Sequence, residues 1–450
     1  MPRSPMLCVL AFALGAGGPL DAQAPLSLGQ AFRRADSASY ANRIAGGDAR
    51  SSEAKVTAAL QGILPTVRVE GGYARTDNPL AAFGFTLQQR GVSSTSFNPG
   101  SLNHPTPVTN LSGGLVAEVP ILNADAWYGR GAALSAAAAV QAGSGWTRET
   151  TRVEVARAYF GAILAREQVH TLEAATAAGQ AHVRQSESMV TNGLATRSDA
   201  LLASVQAGQV EAQLIGARGA AGIARERLAL LLGQPGDTTF RLTDSLPPAA
   251  RIRELAIISA PDSPSLRLDV TAAQLGLEAA QGDVRRASAR YLPRVNGFAR
   301  TDWNSASRLY GGTGSYTVGV LASWTPFAGA SEIGDRRAAQ GRADAARARA
   351  ESAEAGAALE RSTTRIQLAV AIAQLGIAEI SVTQGAEAHR IVARKYSGGL
   401  ATIAELLSAA ALETQTRLVL SEARYQAIVA EAAARQAAGA DLMALTALEN

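Results

Sequence analysis

Proline placement limits this chain more than any other feature. A proline lacks the backbone N–H and clashes with the preceding turn, so it ends or kinks a helix. The 450-residue sequence has 17 prolines, yet none falls between Pro120 and Pro235 or after Pro326. Beyond the N-terminal region they cluster at 65–120, 235–264 and 293–326. The chain therefore reads as two long helical tracts, each preceded by a proline-bounded stretch of another kind. From about Trp127 to Val190 the first tract would be roughly 96 Å long at 1.5 Å per residue. A compact body of this chain length is only roughly 60 Å across, so such a helix cannot lie inside one. The tract from about Ala330 to Lys395 leads to the same conclusion.

An internal repeat explains the pairing. Ile63-Leu64-Pro65-Thr66-Val67 matches Tyr291-Leu292-Pro293-Arg294-Val295 at an offset of 228. Val119-Pro120 matches Thr325-Pro326, Gly193-Leu194-Ala195-Thr196 matches Gly399-Leu400-Ala401-Thr402, and Gly233 matches Gly439, all at an offset of 206. The change of offset places 22 extra residues in the first copy, between Pro65 and Pro120. A repeating unit this long is half of a protomer, too large for a solenoid. The first repeat covers 25–234 and the second 264–450, joined by a linker over 235–263. Each half carries a helix, an alternating run, a Gly/Asn/Ser loop, a second alternating run, a long helix, a Gly turn and a shorter helix.

The alternating runs have period two, the signature of a strand with one apolar and one polar face. They fall at about 66–76, 110–119, 294–303 and 315–324. Val67, Val69 and Tyr73 oppose Arg68 and Glu70; Tyr316, Val318 and Val320 oppose Thr317 and Gly319. Small residues within and aromatics near the ends fit an outer-membrane barrel. A half-exposed soluble sheet shows the same alternation. Four strands are too few to close a barrel, whose common minimum is about eight. Either the sheet stays open or several chains contribute four strands each.

The long helices are predicted at about 124–190 and 330–395, and the shorter ones at about 197–232 and 401–438. Within the second long helix Ile366, Val370, Ala373, Ile377 and Ile380 follow the 4-3-4-3 spacing of a coiled-coil seam. Leu368, Leu375 and Val382 form a second series on another flank. Two seams suit a helix with a neighbour on either side, as in a closed ring.

Composition fits thin helical walls. The chain is 47% apolar but only 5% aromatic, and Ala packs helices closely while filling a core poorly. Charged residues make up 18% and the net charge is +4, which excludes a disordered chain. A balance of 42 basic to 38 acidic residues is too even for a nucleic-acid binder. The start has Arg3, an apolar run from Met6 to about Leu14, and Ala22-Gln23-Ala24, which reads as a signal peptide over 1–24. Cys8 lies inside that leader, so the mature chain would have no cysteine. No later segment has an uninterrupted apolar run of about 18 residues, as a membrane-spanning helix would.

These landmarks together resemble the TolC-like outer-membrane efflux family, the outer membrane factors of tripartite efflux and type I secretion systems. The likeness covers nearly the whole mature chain. It rests on Leu-Pro before a strand (Pro65, Pro293), Pro after the next strand (Pro120, Pro326), and Gly-Leu-Ala-Thr at each long-helix turn. Asp199 and Glu405 lie six residues past those glycines, and a Gly closes each half. The resemblance implies a mainly α fold with transmembrane β: four strands per chain in a twelve-stranded trimeric barrel, continued by an α-helical barrel across the periplasm. It implies a homotrimer in the outer membrane of a Gram-negative bacterium, surrounded by outer-membrane lipid. The helical tips would dock a periplasmic adaptor linked to an inner-membrane pump of the RND, ABC or MFS type. By motif position the tips are Asn192, Gly193, Leu194 and Gly398, Gly399, Leu400. The constriction maps onto Glu405 and Ser408, with Asp199 and Tyr396 holding the closed state. Ser408 has no charge and Ala401 stands where some members carry a basic partner. One acidic ring and a weaker lock are therefore expected.

No catalytic constellation stands out, and no cofactor or nucleic acid is expected. His104, His170, His182 and His389 are not spaced as helical metal ligands. Gly311-Gly312-Thr313-Gly314 lies between two strands and reads as a hairpin loop. A pore-free coiled-coil scaffold on the surface or in the periplasm, adhesin-like, is the alternative reading. It would extract with soluble protein, whereas a duct would not.

Overall fold

The computed structural model describes residues 25–258 and 267–449. The leader with Cys8 and part of the linker lie outside these residues. In chain order the elements are β1 (Pro25–Leu26), α1 (Leu28–Ala38), α2 (Tyr40–Ala58), β2 (Thr66–Thr76), α3 (Pro79–Gln88), α4 (Pro99–Asn103), β3 (Val108–Leu122), α5 (Ala124–Thr191), α6 (Arg197–Leu231), β4 (Arg241–Leu242), α7 (Ala249–Ile258), α8 (Leu268–Ala289), β5 (Arg294–Ser305), β6 (Thr313–Ser323), α9 (Ser331–Ser397) and α10 (Ile403–Ala438). At 68 and 67 residues, α5 and α9 are each roughly 100 Å long.

Strands β2, β3, β5 and β6 form one antiparallel sheet in that order. Its apolar row is exposed on the two edge strands, from Val69 at 67% to Tyr316 at 83%, while Tyr310 covers Gly113 on β3. The other face carries ions: Arg68 pairs with Glu118 at 2.7 Å, and Arg300 with Asp302 at 2.7 Å. The sheet does not close on itself, so β2 and β6 are edges.

Three details depart from the sequence reading. Strand β3 does not stop at Pro120 but runs on to Leu122, with a break in register between them. A strand tolerates proline at such a bulge, where its missing N–H disturbs no ladder bond. The 22 extra residues of the first copy are not a simple loop, because Asn78-Pro79 and Asn98-Pro99 each start a helix. Asn78 accepts the N–H of Ala81 at 3.1 Å and Asn98 that of Gly100 at 2.8 Å. In both, an Asn cap precedes a Pro at a position that needs no N–H. The helix expected before Pro65 is broken at Ser39, whose hydroxyl caps α2 by accepting the Asn42 N–H at 3.3 Å.

The main core sits at mid-height of the molecule. It gathers the N-terminal segment, the middle of α5 and α9, the ends of α6 and α10, α7 and the C-terminal turn. β1 pairs in parallel with β4, tying the chain start to the linker. Tyr159 of α5 is fully buried, and its single hydroxyl proton is shared between the Leu26 carbonyl at 2.9 Å and Asp244 Oδ2 at 2.5 Å. The residues after α10 are not a loose tail: Leu442, Leu445 and Leu448 are buried in the same core.

The two seams of α9 have different fates. Leu375 is fully buried within the chain, whereas Ile366, Val370, Ile377 and Ile380 remain exposed. One stretch of α9 is long and apolar enough to cross a membrane by length and composition. Its length is that of the long hairpin, and its apolar character comes from these two seams.

Candidate functional site at the helical tips

Two hairpins, α5–α6 and α9–α10, end in turns of the same design. Leu194 N–H donates to the Met189 carbonyl at 2.8 Å, and Leu400 N–H to that of Lys395 at 2.8 Å. Inside these bonds, Gly193 donates to Val190 at 3.0 Å and Gly399 to Tyr396 at 3.0 Å. This pattern requires a left-handed residue, and the glycines supply it with φ of +68° and +73°. Asn192 and Gly398 sit just before them. The turns push Leu194 and Leu400 outward, at 73% and 82% exposure.

Each following helix starts with the same clamp. Thr196 caps α6 and Asp199 closes it; Thr402 caps α10 and Glu405 closes it. Asp199 Oδ2 accepts the Thr196 N–H at 2.9 Å, and Glu405 Oε2 the Thr402 N–H at 2.7 Å. These backbone bonds, with the threonine hydroxyls, hold both carboxyls below their ordinary range. Both acids are thus fixed at helix starts, where negative charge is favoured. Glu405 and Ser408 are exposed one turn apart on the same side of α10.

Tyr396 lies inside the tip instead. It packs with Ala203 of α6 and Ile403, Leu406 and Leu407 of α10. Burial, and then the charge of Asp199, raise its hydroxyl. That hydroxyl has no hydrogen-bond partner among the described residues, and Asp199 Oδ2 is engaged by Thr196. Tyr396 and Asp199 are neighbours without a direct bond. Pro65 and Pro293 directly precede β2 and β5, and Pro326 lies between β6 and α9.

One cluster escaped the sequence reading. His182 of α5 and His389 of α9 stack edge to face, with ring centroids 5.9 Å apart. The signal was present: they are 207 positions apart, one more than the repeat offset. A search along one helix for metal spacing passes over it.

The comparisons with known proteins agree with this geometry. The family model described as outer membrane efflux protein matches residues 47–234 and 263–440. No curated protein matches the chain. Among solved structures, VceC of Vibrio cholerae is similar at 21% identity and a TM-score of 0.74, over 92% of this chain and 96% of that one. CmeC of Campylobacter jejuni, an outer membrane channel, is 14% identical with a TM-score of 0.75 over 92% and 85%. The open state of the MtrE outer membrane channel of Neisseria gonorrhoeae is 18% identical with a TM-score of 0.71 over 92% and 89%. At these identities the likeness is one of fold, and the family match carries the assignment. The chain belongs to the outer membrane efflux protein family, and it is an exit duct in the outer membrane that reaches into the periplasm.

Proposed function

We propose that the chain works as a homotrimer and serves as the passive outer duct of a tripartite export system. The observation that carries this reading is the open four-stranded sheet with two unpaired edges and an exposed apolar face. Unpaired edges are not viable in lipid. Three copies joined edge to edge would give twelve strands and remove every edge. The exposed seam of α9 would then pack on a neighbouring copy and continue the wall into the periplasm.

The tips would close the periplasmic end. Glu405 supplies one ring of three carboxylates, and Ser408 one turn along supplies a neutral ring. Three fixed negative charges in a narrow opening favour cations. Asp199 and Tyr396 hold the two hairpins together at this level. Leu194 and Leu400, with Asn192, Gly193, Gly398 and Gly399, form an apolar rim for a periplasmic adaptor, and through it an inner-membrane pump.

The test has two parts. The protein should fractionate with the outer membrane as a heat-sensitive trimer and conduct in planar bilayers. A monomeric, non-conducting protein would sink the duct. Glu405→Ala should lower cation preference, and an unchanged reversal potential would remove Glu405 from the constriction.

A further inference from the structure

Just above the tips, α5, α6 and α10, with His389 of α9, line a cleft of about 360 Å³. His182 and His389 meet edge to face at its wall, one from each long helix. The Nε2 atoms of both rings are buried and make no hydrogen bond among the described residues. On its other side His389 Nδ1 meets Glu413 Oε2 at 2.5 Å, and Glu413 also accepts from Arg417 at 2.6 Å. The cleft therefore holds a histidine anchored to α10 and a second histidine with nothing to anchor it.

Buried polar atoms without partners call for an explanation, such as a bound ion, a water or a strained switch. Among the described residues no group of three or more His, Cys, Asp or Glu is placed to hold a metal ion. The ligand that suits a lone imidazole nitrogen is a proton. We propose that His182, set against His389, is a proton-sensitive latch between the two hairpins that holds them together at neutral pH and releases them on acidification. This rests on the reading that the tips form the constriction.

The charges around the pair decide the direction. The titratable groups lining the cleft are His182 on α5, His389 on α9, and Glu413 and Arg417 on α10, while α6 presents only neutral residues such as Gln206 and Gln213. Glu413 is committed to His389 and Arg417. Glu387 and Arg390, beside His389 in sequence, pair with each other on the exposed side. No free carboxylate of the lining is left to receive a charged His182. Burial, and then His389, accordingly lower the value of His182 from 6.5. The packed arrangement binds this proton less readily than one in which His182 is hydrated. Its advantage is complete above the ordinary histidine range and falls away as the pH drops below it.

The surroundings make the latch mechanical. Gly385 lets α9 approach Thr416 of α10, and α5 packs along α6 as α9 does along α10, so each hairpin is zipped tightly within itself. Between the hairpins the histidine pair is a polar bridge above the apolar cluster around Tyr396. A charge on His182 draws water into the cleft and separates the hairpins as units.

The experiment uses the full mature protein in planar bilayers between pH 7.5 and 5.5. Open probability should rise several-fold on acidification, each pKa unit between the two states being worth about tenfold. The rise should vanish in His182→Gln and shrink in His389→Gln. Spin labels on a Thr191→Cys, Ser397→Cys variant, one per hairpin, should move apart over the same range and stay fixed when His182→Gln is added. The acids at the tips do not confuse the reading, because Asp199 and Glu405 titrate below their ordinary values of 3.8 and 4.5. A separation unaffected by pH, or one that persists in both histidine variants, overturns the latch. A separation that responds while conductance does not would uphold the latch and count against the tips as the constriction.

Discussion

Glu405 closes a ring with Thr402: its carboxylate accepts the Thr402 N–H at 2.7 Å, and the Thr402 hydroxyl accepts the Glu405 N–H at 3.2 Å. One side chain thereby does two jobs, capping a helix and placing a charge at the tip. The two are separable. Glutamine can still accept at this position, whereas alanine cannot. Glu405→Gln should lose cation preference and keep the stability of the tip, while Glu405→Ala should lose both. Reversal potentials in a salt gradient and amide exchange at 400–410 would distinguish them. The lowered value of Glu405 adds a pH statement. Its charge is present above the ordinary 4.5 and lost only as the pH falls through the lower folded value, so cation preference should outlast mild acid.

The turn glycines differ in what a side chain would cost. At Gly193 and Gly399 φ is positive but no atom lies within 4 Å of an added Cβ. Alanine there should cost only the left-handed backbone, roughly 1–2 kcal/mol, confined to the tip. At Gly233, φ is +75° and the Cβ would collide with the backbone carbonyl of Ala38. Gly233→Ala should therefore abolish accumulation in the outer membrane, while Gly193→Ala and Gly399→Ala assemble. Immunoblots of unheated membrane samples would separate the three.

Tyr159→Phe removes the hydroxyl that joins Leu26 to Asp244. It leaves a buried carboxylate without one of its donors, a loss of about 1–3 kcal/mol. A lower melting temperature with unchanged conductance at 25 °C is the expected outcome. An unchanged melting temperature would mean that packing and the β1–β4 pairing hold the N-terminal segment without this hydroxyl.

Leu375 and Ile377 are two positions apart on α9 and should fail differently. Leu375→Ala opens a cavity inside the chain, at about 2–5 kcal/mol. Ile377 is 66% exposed in one chain, so Ile377→Asp should leave the protomer folded and weaken the trimer. Circular dichroism of the monomer fraction beside the trimer yield would show the split.

The broad fold was legible because its determinants are local or repetitive. Prolines delimit the helices, alternation marks the strands, and the duplicated Gly-Leu-Ala-Thr locates both turns. Three features were less legible, two of them because they depend on distant partners. Pro120 is tolerated by a bulge that only the register with β5 reveals. Asn78-Pro79 and Asn98-Pro99 look like loop dipeptides until the following residues are seen to coil. His182 and His389 meet because two hairpins separated by half the chain come together, chiefly where α5 meets α10. At the tips, the sequence located the acids, while the threonine clamps that fix them emerged from the hydrogen bonds.

The collar at mid-height turns the hairpins into lever arms. Chain start, linker and C-terminal turn meet around Tyr159 in one packed cluster, while the tips below have a small cluster of their own. From Tyr159 to Thr191 the arm is roughly 48 Å long. A tilt of about 5° at the fulcrum would carry its end about 4 Å, close to the width of a helix backbone cylinder. Small repacking at the collar is thereby amplified at the tips, so, with the constriction placed there as proposed, substitutions far from the tips would set how wide the duct stands.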